Sequence, residues 1–137
     1  MKTDRTPTHL PWLIAGDLLA AFIVTAVGFL NHDGSLQGWR WLTTFLPVAA
    51  AWFLIAPWLG LYRPEIARSA RQIWRPVLAA LLSAPLAATL RGFWLNSPIL
   101  PIFVLVLGLT NGLGWALWRL AWAALSRRIL PESNRHG

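Results

Sequence analysis

Cysteine is absent from this chain of 137 residues. Disulfide scaffolds, thiolate metal sites, iron–sulfur clusters and cysteine nucleophiles are therefore excluded. Charge is scarce as well, at 12% of residues, against roughly 25% in an ordinary soluble domain. Acid is the scarcer sign, with five Asp plus Glu against 12 Lys plus Arg, and Lys2 is the only lysine. Hydrophobic residues fill the gap at 56%, ten of them Trp. A soluble chain this short cannot hide so much apolar surface, because small domains have a high surface-to-volume ratio. The net charge of +7 would suit a nucleic-acid binder. Where the apolar residues lie points instead to basic loops on one side of a membrane, and no nucleic-acid partner is expected.

Four apolar stretches are spaced along a single membrane domain, residues 1–137. They cover about 10–30, 41–62, 76–95 and 99–125. Each reaches about 20 residues, enough at about 1.5 Å per residue to cross roughly 30 Å of hydrocarbon. They are too long for strands and show no period-2 alternation. The first run is also longer than the 7–15 residues of a signal-peptide core and carries Asp17, so it reads as a span. Short links, among them Asn96-Ser97-Pro98, imply antiparallel neighbours. The predicted fold is all-α, an integral membrane bundle of four helices running up-down-up-down. Pro47, Pro57 and Pro85 inside the spans predict kinks.

Arginine sets the orientation. Lys2, Arg5, Arg63, Arg68, Arg71, Arg75, Arg127, Arg128 and Arg135 fall on the side of both termini, with Arg119 just inside it. Only Arg40 and Arg91 fall on the other side. The positive-inside rule makes both termini cytoplasmic, in a multi-pass protein of the cell membrane. Trp12, Trp58, Trp74, Trp118, Trp122 and Tyr62 lie near that end, and Trp39, Trp41 and Trp94 near the other, as an interfacial belt. Trp52 and Trp115 lie deeper, as core filling or lipid contacts. Arg63, Arg68, Arg71 and Arg75 are candidates for anionic headgroups at about 1 kcal/mol each.

The polar residues at membrane depth are the functional candidates. Asp17 lies about seven residues, or roughly 10 Å, inside the first span. Arg119 lies at similar depth in the fourth, so the two are expected to face each other. Paired, the carboxylate stays ionised and structural; unpaired, it could carry a proton. Two functions follow from different classes. One is a structural or accessory membrane protein clasped by Asp17 and Arg119, and the other a small proton-coupled or ion transporter using Asp17. His32, Asp33 and Arg91 form a candidate cluster at the outer face. Ser83 and Asn111 are expected to share a hydrogen bond between the third and fourth helices. Gly108 and Gly112 make a GxxxG match that suits packing within the chain, a homodimer or a larger membrane complex. His9 and His32 lie at opposite faces and cannot share a haem iron. No catalytic triad, paired carboxylates, phosphate-binding loop or metal-ligand spacing occurs, so neither enzyme activity nor metal nor cofactor is expected.

The order of these features resembles a known family. Asp17 in the first helix, Gly28 with His32-Asp33 at its end, Phe45-Leu46-Pro47 in the second helix, Leu90-Arg91 in the third and Trp118-Arg119 in the fourth are similar to the small membrane family DUF3054. The likeness runs over roughly Leu10 to Leu125. It implies a four-span prokaryotic membrane protein and no particular activity. Asn31 and the tryptophan-rich background depart from the family pattern.

Overall fold

A computed structural model describes residues 9–32 and 38–129 of the chain. All regular structure among them is helical: α1 (Leu10–His32), α2 (Leu42–Ile55), α3 (Pro64–Ala67), α4 (Trp74–Leu95) and α5 (Pro101–Ile129). Four of these elements are long and apolar enough to cross a membrane: α1, α2 with the 3-10 turn that follows it, α4 with the turn before it, and α5.

Turn chemistry sets the boundaries. The second expected span, about 41–62, stops being α-helical at Ile55. Pro57 has no N–H to donate four residues back, so the chain tightens into a 3-10 turn over Ala56–Leu59. Gly60 then takes a left-handed conformation at φ 69° that excludes most side chains. Pro57 therefore ends a helix instead of kinking one, while Pro47 and Pro85 remain inside α2 and α4. At the other end of the bundle, Asn96 closes α4 at φ 49°. Asparagine tolerates this region. The N–H groups of Asn96 and Ser97 both return to the Gly92 carbonyl. Pro101 then opens α5 at a position where its missing N–H costs nothing.

The four long helices pack as a ring in the order α1, α2, α4, α5, with α1 and α4 on a diagonal. Every adjacent pair is antiparallel. Gly16 meets Trp118 and Val24 meets Gly114 between α1 and α5. Asp17 meets Trp52 and Phe22 meets Phe45 between α1 and α2. Ala51 meets Ser83 and Thr44 meets Arg91 between α2 and α4. A Cβ on Gly108 would lie 3.2 Å from Ala84 Cβ, and one on Gly112 3.6 Å from Ala80 Cβ. The GxxxG face is thus used inside the chain, bringing α5 close to α4.

The interior is built from small and polar residues. Ala79, Ala80, Ser83, Ala84, Ala87 and Ala88 on α4 are buried, as are Gly108, Asn111 and Gly112 on α5. Trp52 and Trp115 fill the remaining width. Many leucines, isoleucines and valines face outward, among them Leu19, Ile23 and Val27 on α1 and Leu105, Leu109, Leu113 and Leu117 on α5.

Candidate functional site

The carboxylate of Asp17 is the centre of the buried polar structure. The Asp17 side chain is 0% exposed and that of Arg119 4%. The antiparallel register of α1 and α5 brings the two together. Arg119 Nε donates to Asp17 Oδ1 at 3.0 Å, and Nη2 donates to Oδ2 at 2.7 Å. This two-point contact matches the planar fork of the guanidinium to the carboxylate. The third guanidinium nitrogen, Nη1, donates to the Leu61 carbonyl at 2.6 Å, tying the pair to the connector after α2.

Two further donors reach Oδ2. Tyr62 hydroxyl donates at 2.7 Å and Trp52 Nε1 at 3.1 Å, and Trp52 Nε1 is also 3.1 Å from the Tyr62 oxygen. Burial first, and then the negative charge of Asp17, push the Tyr62 phenol well above its ordinary value. It therefore keeps its proton and donates. Trp115 Nε1 donates to the Asp17 main-chain carbonyl at 3.0 Å. Trp52 and Trp115 stack with ring centroids 3.7 Å apart and planes 19° from parallel. The Arg119 guanidinium carbon lies 5.3 Å from the Tyr62 ring centroid and 6.0 Å from that of Trp52. A buried charge pair is tolerated when its remaining hydrogen-bonding capacity is met, and here α1, α2, the connector and α5 all contribute.

Tyr62, Trp52 and Trp115 were not expected in this role. Tyr62 turns inward to Asp17 instead of serving the interfacial belt. One signal for Trp115 is its spacing: it lies four residues before Arg119, on the same helical face.

The polar contact expected between α4 and α5 is arranged differently. Ser83 and Asn111 do not bond to each other. Ser83 donates to the Ala79 carbonyl at 2.6 Å and lies 3.4 Å from the Ala51 carbonyl on α2. Asn111 donates to the Leu107 carbonyl at 2.9 Å. Each side chain reaches the carbonyl four residues back on its own helix, which satisfies its donor locally. Asn111 Oδ1 is buried without a partner. His32 is exposed at the end of α1, while Arg91 donates to Thr44 Oγ1 at 3.1 Å and lies 5.0 Å from the Phe103 ring centroid. Asp33 lies outside the described residues. No group of three or more His, Cys, Asp or Glu able to hold a metal ion occurs among the described residues.

The basic residues at the end of the bundle that carries the connector divide into two sets. Arg75 donates to Gln72 Oε1 and to the Leu59 carbonyl, both at 2.7 Å, and Arg68 contacts His9 at 3.3 Å. Arg63, Arg71, Arg127 and Arg128 are exposed.

A family model described as a protein of unknown function, DUF3054, matches residues 14–122. Asp17, Trp52, Tyr62, Trp115 and Arg119 all lie within the match. No curated protein and no solved structure shows significant similarity to the chain.

Proposed function

The chain belongs to the DUF3054 family of proteins of unknown function, and on that premise we propose that it is a four-span membrane protein of structural or accessory role, bundled by Asp17 and Arg119. The membrane reading rests on which residues face out. Leucine, isoleucine and valine cover the surface of the long helices, while alanine, glycine, two tryptophans and polar groups fill the interior. In water, so large an apolar exterior is an aggregation surface; in lipid it costs nothing, and small interior residues give close helix contact. The orientation follows from charge. The connector, the start of α1 and the end of α5 share one end of the bundle, and that end is the basic one, so both termini face the cytoplasm.

The observation that carries the clasp is the saturation of Asp17. Four donor contacts converge on its two oxygens, three of them on Oδ2. A proton carrier needs to exchange its partners during turnover, whereas this carboxylate is held by a bidentate arginine, a phenol and an indole. The test is a pair of measurements on the full chain reconstituted in vesicles. Arg119→Gln should lower resistance to thermal unfolding strongly, since removing one member leaves the other charge buried and alone. Vesicles carrying the wild-type chain should hold an imposed pH gradient as well as vesicles carrying Asp17→Asn. A gradient that collapses only when Asp17 is present would overturn the clasp and establish the transporter reading.

A further inference from the structure

We infer that the cleft between the start of α1, α3 and α5 binds the headgroup of an anionic phospholipid, with Arg68 and His9 as its polar wall. The inference rests on the membrane reading above and concerns a site separate from Asp17. Its lining includes His9, Leu10, Leu13, Tyr62, Arg68 and Trp122.

Arg68 is the group that calls for a partner. Its guanidinium carries five N–H donors and a permanent charge. The contact that the structure gives it is His9 Nε2 at 3.3 Å. An imidazole carries no negative charge, so this contact leaves the charge of Arg68 uncompensated. Among the described residues the ion pair is Asp17 with Arg119, and Glu65, three residues before Arg68, is exposed. Arg75 differs, being held by Gln72, the Leu59 carbonyl and the face of Trp74 at 4.9 Å.

The surroundings suit a phosphate joined to an apolar tail. The first turn of α1, beginning at Leu10, supplies the positive end of a 23-residue helix on the same side as Arg68. Trp122 packs against His9 with ring centroids 6.3 Å apart and closes the other wall with an amphipathic ring. Leu10 and Leu13 line the same cleft with apolar side chains. A phosphodiester at Arg68 would thus lie beside apolar side chains as well as the cation. Arg63, Arg71, Arg127 and Arg128 around this end raise the local concentration of anionic lipid without forming the site.

Native mass spectrometry of the full chain released from mild detergent tests this, with phosphatidylglycerol and phosphatidylcholine offered in equal amounts. We expect phosphatidylglycerol to be retained preferentially. Arg68→Gln should weaken its retention about fivefold, the change that about 1 kcal/mol for one charge near a headgroup makes. The double variant Arg127→Gln with Arg128→Gln should change it less than twofold. His9→Phe, which keeps a ring in place, should weaken retention as well and serves if Arg68→Gln does not fold. Equal retention of the two lipids, or equal losses from the Arg68 and the Arg127 plus Arg128 variants, would overturn the proposal. So would full displacement of the lipid by soluble glycerol phosphate at equal concentration, which would make the site a phosphate site. Co-sedimentation of the chain with vesicles, measured alongside, tells failure of this site from failure of the membrane reading.

Discussion

A carboxylate taken out of water needs several donors, and those at Asp17 come from three side chains, Trp52, Tyr62 and Arg119, each of which can be removed on its own. Tyr62→Phe deletes one hydroxyl from Oδ2 and keeps the ring against Phe53, whose centroid is 6.3 Å away. A hydrogen bond to a charged group contributes about 1.5–3 kcal/mol, and we expect Tyr62→Phe to destabilise the bundle by that amount in equilibrium unfolding in micelles. Asn111→Leu should behave oppositely. Its Oδ1 is buried without a partner and its amide is bonded within its own helix, so the substitution should stay within about 1 kcal/mol of wild type or stabilise. The meeting of Asp17 and Arg119 was legible in the sequence, because counting residues from the ends of the spans places both at one depth. Trp52 and Tyr62 were not. Depth can be counted along a helix, but direction around it must come from an apolar face, and spans that are apolar all round have none to read. The Ser83–Asn111 expectation failed on the same point: equal depth did not include the nearer carbonyl of each residue's own helix.

At the scale of the helix, closeness is set by where side chains are missing. Gly16 on α1 lies under the Trp118 indole, and a Cβ there would overlap the ring. Gly28 on the same helix has nothing within 4 Å of its Cβ position. Gly16→Ala should therefore cost about 1–3 kcal/mol through forced displacement of the Trp118 indole. Gly28→Ala should be neutral or slightly stabilising, since alanine is the better helix former. Comparing the two thermal midpoints in one detergent checks the pair, and equal effects would contradict the α1–α5 packing. The helices themselves were legible to within a few residues, because length and hydropathy alone define them. The exception was the end of the second span. There the proline reads equally as a kink or a stop, and the left-handed Gly60 decides for the stop.

At the scale of the molecule, one end of the bundle is basic and the interior is held by one charge pair. The first property predicts that a reporter fused after Gly137 in the full chain is active in the cytoplasm; activity only outside would reverse the orientation. The second is the central claim, that Asp17 and Arg119 act as a unit linking α1 to α5 and, through Leu61, to the connector. Breaking a buried pair by removing one partner costs about 3–5 kcal/mol, and residues in one network couple by about 0.5–3 kcal/mol. A double-mutant cycle of Asp17→Asn and Arg119→Gln, read by reversible unfolding in bicelles, measures this directly. The account predicts large losses for each single variant and a double variant at least about 2 kcal/mol better than their sum. Losses that simply add would contradict it.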